Sequence, residues 1–106
     1  MKTVLITGAS KGIGAEIART LAKEGYNVAI NFNKSESAAV ALKNELEKYT
    51  SVMLVKADVS KYDEVASMVS AVRNKFGSIT HLVCNAGISV TGLLEDIDLC
   101  QCDSVI

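Results

Sequence analysis

The sequence predicts an α/β fold: a doubly wound parallel sheet with helices on both faces. Three observations carry that reading. Short runs rich in Val, Ile and Leu alternate with longer stretches whose apolar residues recur every three or four positions. The short runs are apolar at consecutive positions, as strands are when both faces of their sheet are covered. Glycines cluster between the first short run and the first helical stretch. Strand-helix alternation of this kind winds into a parallel sheet through right-handed crossovers.

Residues 3–7 form the first strand, an unbroken apolar and β-branched run. The first helix spans residues 12–24, with Ile13, Ile17 and Leu21 as its inward stripe and Ala18 and Ala22 beside it. Gly25 ends it in a left-handed conformation. Residues 28–32 are the second strand. Ser35 is placed to cap a second helix running to about Lys48, with Ala39, Leu42, Leu46 and Tyr49 on its buried face. Residues 52–55 are the third strand. Ser60 is expected to cap the third helix, with Asp63 in the capping-box position. Val65, Met68, Val69, Val72 and Phe76 line its inner face, and Gly77 stops it. Residues 81–84 are the fourth strand, with His81 at its surface end. Leu99, Cys102, Val105 and Ile106 look like the first turns of another helix. The expected strand order is 3-2-1-4. The chain is expected to end within a helix and to be the N-terminal half of a larger design, its second half absent.

The chain has 106 residues, 49 % of them apolar and 22 % charged, which suits one domain over residues 1–106 with a buried core. A net charge of −1 gives no footprint for a nucleic-acid partner. Val4-Leu5-Ile6 is too short for a signal-peptide core, and no run approaches the ~20 apolar residues of a membrane helix. A soluble, cytoplasmic protein is expected, with no membrane partner. Cys84, Cys100 and Cys102 make an odd number of thiols with no export signal, which argues against a disulfide framework. Cys100 and Cys102 resemble half a zinc site, but zinc takes four ligands and the lone histidine, His81, is distant in sequence, so no metal is expected.

Gly8, Gly12 and Gly14 sit where a dinucleotide's phosphates meet a helix N-terminus in a Rossmann-type sheet. Gly8 permits the turn off the strand. Gly12 lets backbone N–H groups approach the pyrophosphate, and Gly14 removes a side chain where helix and strand pack closely. Ala9, Ser10, Lys11 and Ile13 complete the loop, Ser10 and Lys11 adding a hydroxyl and a cation. The spacing Thr7-Gly8-x-x-x-Gly12-x-Gly14 differs from the commoner Gly-x-Gly-x-x-Gly and resembles the short-chain dehydrogenase/reductase family. Phe76-Gly77, Asp58-Val59 and Asn85-Ala86-Gly87 resemble that family too. The resemblance implies that Asp58 and Val59 contact adenine, and that Asn85, Ala86 and Gly87 support the sheet beside the nicotinamide.

At the end of the second strand, NAD-preferring proteins place an acid on the ribose hydroxyls. Here the place reads Asn31-Phe32-Asn33-Lys34, with no acid before Glu36. The repulsion that would exclude a 2′-phosphate is missing, and Lys11 and Lys34 either attract that phosphate or stand solvated at the surface. NADP(H) is therefore favoured over NAD(H), with Asn31, Asn33 and Lys34 as candidate contacts.

The resemblance further implies ketone reduction by a Tyr-x-x-x-Lys pair, an upstream Ser and an earlier Asn. Four residues after Tyr26, Tyr49 and Tyr62 stand Ile30, Met53 and Ala66, so no such pair exists in the sequence. All three tyrosines are expected away from the strands' carboxyl ends. The family's Asn is expected a little beyond Ile106, so no catalytic residue is assigned and this chain alone is expected to be inactive. Cys84 replaces an Asn common in the family, and Cys102-Asp103 stands for Trp-Asp. Within the family, Asn31-Phe32-Asn33 and Asn85-Ala86-Gly87-Ile88-Ser89 look like the bacterial 3-oxoacyl-acyl-carrier-protein reductases, and are similar to the elongation factor P 5-aminopentanone reductases. Either implies a carbonyl substrate bound mainly by the missing half. Full-length relatives are expected to be homotetramers and this chain is not. A non-catalytic dinucleotide-binding module and the non-functional product of a disrupted gene remain the alternatives.

Overall fold

The computed structural model of the chain describes residues 2–9, 12–83 and 104–105. Eight elements follow in the order β1 (Thr3–Ile6), α1 (Gly12–Lys23), β2 (Asn27–Phe32), α2 (Glu36–Leu46), β3 (Val52–Lys56), α3 (Tyr62–Phe76), β4 (His81–Val83) and β5 (Ser104–Val105). The strands form one sheet in the order β3-β2-β1-β4-β5. Every pairing is parallel, with Leu5 opposite both Ala29 and Leu82. The expected order 3-2-1-4 is present, with one short strand added.

Side-chain alternation divides the core. Val4, Ile6, Val28, Ile30 and Phe32 face α1 and α2, meeting Ala15, Ala18, Ala22, Ala39, Leu42 and Leu46. Leu5, Ala29 and Leu82 face the other way and pack on Val65, Met68, Val69 and Val72 of α3. Both faces of β1 and β2 are thus covered, which is why these strands are apolar at consecutive positions. Arg19 adds a tie between α1 and α2, its Nε donating to Glu45 at 2.8 Å.

Helix ends mark where local chemistry competes with periodicity. Gly25 and Gly77 close α1 and α3 with φ of 90° and 91°, and their N–H groups donate to the carbonyls of Ala22 and Arg73. Ser35 holds the cap position of α2, but its side chain makes no capping bond; its main-chain carbonyl accepts the Ala39 N–H. Ser60 does not cap α3. The cap position belongs to Lys61, because the Ser60 hydroxyl is drawn back to Asp58 Oδ1 at 2.6 Å. Glu64, not Asp63, reaches back from the first turn, accepting the Asp58 N–H at 2.8 Å.

Three packing expectations are corrected. Ile13 is 73 % exposed, and the deepest face of α1 is Gly14, Ala15, Ala18 and Ala22, with Ile17 and Leu21 only half-buried. The small residues take the face nearest the sheet, and Ile17 and Leu21 pack against the same core while staying partly exposed. Tyr49 is exposed because α2 ends at Leu46 and the chain turns before Tyr49 could reach the core. Val105 is in a strand and not a helix: with Ser104 it extends the sheet beside β4, Leu82 opposite Val105. That pairing occupies backbone groups β4 would otherwise leave at an open parallel edge, and a β-branched residue suits it. Leu99, Cys102 and Ile106 of the expected helix lie outside the described residues.

Candidate cofactor site

In a parallel sheet all carboxyl ends share one edge, and ligands bind in the crevice outside it. Here that edge collects residues 7–9 after β1, 33–35 after β2 and 57–61 after β3. Gly8, Ala9, Asn33, Lys34, Asp58 and Val59 therefore come together, with the start of α1 above them. Ser10, Lys11, Asn85, Ala86 and Gly87 lie outside the described residues, as do Cys84, Cys100 and Cys102.

The loop after β1 is tied down on two sides. The Thr7 N–H and hydroxyl both donate to the Val83 carbonyl, at 3.0 and 3.3 Å. The Gly8 N–H donates to Asn31 Oδ1 at 3.1 Å, and the Ala9 N–H to the Asn31 carbonyl at 3.1 Å. Gly8 and Gly12 have φ of 61° and 64°, the left-handed region where a side chain is strained. Among the described residues a Cβ built on Gly12 would meet no atom within 4 Å beyond its chain neighbours, so they leave the space beside this backbone open. The first turn of α1 carries no acidic residue. A helix N-terminus offers N–H groups and a partial positive charge to an anion, and no carboxylate of this first turn opposes one. An open, backbone-lined space at an uncompensated helix N-terminus fits a pyrophosphate.

Asn31 is only 2 % exposed. Besides accepting from Gly8, its amide Nδ2 donates to the carbonyls of Val55 at 3.3 Å and Ala57 at 3.2 Å. This buried amide sits behind the loop, whereas Asn33 and Lys34 are exposed at the sheet edge. Asp58 is held in a turn by Ser60, whose N–H donates to Oδ1 at 3.0 Å. The Ser60 hydroxyl and N–H hold the Asp58 carboxyl below the usual aspartate range, helped by the positive charges of Lys61 and Lys34.

Tyr26 and His81 stand at the opposite, amino-terminal edge, their rings edge-to-face at 5.3 Å, and Thr80 Oγ1 lies 3.0 Å from His81 Nδ1. Tyr49 also precedes a strand, as expected. Tyr62 does not: it opens α3 just after the carboxyl end of β3, on the cofactor side, because a helix following a parallel strand must start there. Among the described residues no group of three His, Cys, Asp or Glu could hold a metal ion, and no helix is long and apolar enough to cross a membrane. Sequence reasoning missed the part of Asn31 behind the loop and that of Glu64 behind Asp58. The signal for Asn31 was present, since an amide inside a two-face-buried strand must find partners within the fold.

A sequence profile of the short-chain dehydrogenases matches residues 2–106. The chain belongs to that family. Its members are oxidoreductases that bind a nicotinamide dinucleotide. Over 106 residues the chain is 44 % identical to a 3-oxoacyl-[acyl-carrier-protein] reductase of Staphylococcus epidermidis, the match covering 99 % of this chain but 43 % of that relative. It is 37 % identical to a D-beta-hydroxybutyrate dehydrogenase of Rhizobium meliloti, covering 99 % of itself and 42 % of the relative. Among solved structures, a dehydrogenase/reductase from Sinorhizobium meliloti superposes with a TM-score of 0.79 at 33 % identity, over 82 % of this chain and 35 % of that one. An NADH-dependent reductase complexed with NAD gives 0.75 at 33 % identity, over 82 % and 36 %.

Proposed function

We propose that the chain is the dinucleotide-binding part of an NADP(H)-dependent ketoreductase, of the kind that reduces 3-oxoacyl groups carried on acyl carrier protein, acting in the cytoplasm. The observation that carries the binding step is the open space at Gly12 beside an α1 N-terminus with no acid in its first turn. The 44 % identity to a 3-oxoacyl-[acyl-carrier-protein] reductase supports the substrate class. The bound nicotinamide would supply a hydride to the ketone carbon.

The chain's own residues would do the holding. Gly8 and Ala9 give their N–H groups to Asn31 and shape the loop; the N–H groups from Gly12 onward, at the start of α1, would receive the pyrophosphate, with Ser10, Lys11 and Ile13 as the other contacts of the loop. Asn33 and Lys34 stand where the adenosine ribose and its 2′-phosphate would lie, and no carboxylate occupies residues 31–35 to repel that phosphate. Asp58 and Val59 flank the adenine, and Asn85, Ala86 and Gly87 the nicotinamide end. The 106 residues contain no Tyr-x-x-x-Lys, so nothing in them donates the proton that ketone reduction needs. That absence favours a second reading for the chain by itself, a module that binds dinucleotide without turnover. NADPH fluorescence titration tests both. Saturable binding abolished by Gly12→Asp, with no oxidation of NADPH by added 3-oxoacyl thioester, is expected. A folded chain with no saturable binding overturns the cofactor reading, and turnover overturns the assignment of no proton donor.

A further inference from the structure

The two cofactor-facing segments have no covalent neighbourhood in common. The phosphate loop follows β1 and the Asp58-Val59 turn follows β3, with β2 between them in the sheet. One side chain bridges them. Asn31 accepts from the Gly8 N–H with Oδ1 and donates with Nδ2 to the carbonyls of Val55 and Ala57, the latter immediately before Asp58. Its own carbonyl accepts the Ala9 N–H. An amide is the side chain of this size that offers an acceptor to one side and donors to the other. Aspartate would set a second acceptor against two carbonyls, and an aliphatic residue would leave buried polar groups unsatisfied. Ala57 also donates its N–H to the Phe32 carbonyl, so the adenine-side turn is registered to β2 at two successive points.

We propose that Asn31 is a positioning residue: its buried amide couples the phosphate loop to the adenine-side turn and sets their separation to that of one dinucleotide. It touches no cofactor atom and acts through Gly8 and Ala57. The proposal rests on the cofactor-binding reading for its consequence, and on the geometry alone for the coupling.

The test compares Asn31→Ala with Asn27→Ala. Asn27 is also buried on β2, but at the opposite edge, where its amide donates to Thr3 Oγ1 at 3.4 Å. It therefore controls for general loss of stability. Asn31→Ala is expected to weaken NADPH binding about tenfold, the order of one buried hydrogen bond, and to lower affinity for the adenosine 2′,5′-bisphosphate fragment by less. Asn27→Ala loses one side-chain hydrogen bond where Asn31→Ala loses three, and it is expected to leave both affinities within about twofold, each variant being titrated well below its own melting temperature. Equal weakening by the two variants overturns the proposal, as does unchanged binding in Asn31→Ala. The amide spectrum judges the coupling independently. Asn31→Ala should shift the resonances of Gly8 and Asp58 together, and a change confined to β2 overturns the coupling. A wild-type chain that binds no NADPH removes the functional reading, while these resonances still decide the coupling. If Asn31→Ala does not fold, the wild-type chain suffices: a scalar coupling across the hydrogen bond from Gly8 N to Asn31 Cγ supports the proposal, and its absence overturns it.

Discussion

Replacing Gly12 by alanine separates what the loop costs the fold from what it gives the ligand. Gly12 has φ of 64° and Gly25 has φ of 90°, and among the described residues a Cβ at either would meet no atom within 4 Å beyond its immediate chain neighbours. Neither substitution produces a clash, so the loss of stability in each case is the backbone penalty for placing an L-residue in a left-handed conformation, about 1–2 kcal/mol. For a domain of this size each kcal/mol lowers the melting temperature by about 4–8 °C. Both variants are therefore expected to melt lower by similar amounts in a circular-dichroism scan. Their ligand behaviour should differ. The space beside Gly12 lies at the start of α1, where the pyrophosphate would sit, so the added methyl displaces ligand instead of protein. Loss of one good phosphate contact weakens NADPH by about tenfold or more. Gly25 is at the far end of the same helix, and Gly25→Ala should bind NADPH as the wild type does once folded. If Gly12→Ala melts lower but keeps its affinity, the open space is not a phosphate site. If Gly25→Ala loses affinity equally, the effect is global and the comparison says nothing for the loop.

Lys34→Glu should reduce NADPH affinity more than NADH affinity, and salt should erode the wild-type preference, since exposed charges are screened over about 8–10 Å at ordinary ionic strength; equal losses of both cofactors would refute a 2′-phosphate role. Asp58 titrates below the usual aspartate range, so its turn contributes stability that is fully present above the unfolded pKa and is lost as pH falls through the lower folded value. Melting curves of wild type and Asp58→Asn should therefore converge on acidification, and a gap independent of pH would refute the Ser60 turn as the cause. Ala18→Leu should destabilise by about 1–3 kcal/mol in a urea melt, because Ala18 is fully buried between α1 and the sheet; a neutral result would mean that the helix is not closely packed there.

The parts of the fold legible in the sequence are those fixed by local chemistry. Val4-Leu5-Ile6 could be assigned to a strand covered on both faces because no polar position interrupts it, and Gly25 and Gly77 could be placed as stops because little else adopts their φ. Ile13 was misplaced because periodicity marks an apolar stripe but not the distance at which it packs. That distance is decided by Ala15, Ala18 and Ala22 meeting the sheet, a tertiary fact. Ser60 differs from expectation because its hydroxyl donates to Asp58 two residues back and α3 starts one residue later, with Lys61 at the cap position. Tyr62 was placed on the wrong edge through overlooking that each helix after a parallel strand begins at the carboxyl side. At the site, the glycine positions were readable from spacing, whereas the bonds of Asn31 were not, because its partners at Gly8, Val55 and Ala57 come from two other strands and their loops.

On the proposed reading, the cofactor edge combines two kinds of recognition with different physics. Around Gly8 and Gly12 it uses backbone groups held by Asn31, Val83 and the helix start, so phosphate affinity depends on geometry and is common to both dinucleotides. At Lys34 the proposed site would use an exposed charge, which also favours the ionised Asp58 carboxyl, after Ser60 and Lys61. An arriving 2′-phosphate would feel the attraction of Lys34 together with the repulsion of the Asp58 carboxylate. The attraction it gains is the difference between the two, not the whole charge of Lys34. Among the described residues, discrimination between NADP(H) and NAD(H) should consequently be shallow, and deepened mainly by the missing carboxylate at residues 31–35. Removing Asp58's charge should raise NADPH affinity at the ribose end even as it loosens the adenine turn, so Asp58→Asn should narrow the loss of NADPH relative to NADH. A variant that loses both equally would show that Lys34 answers to solvent alone.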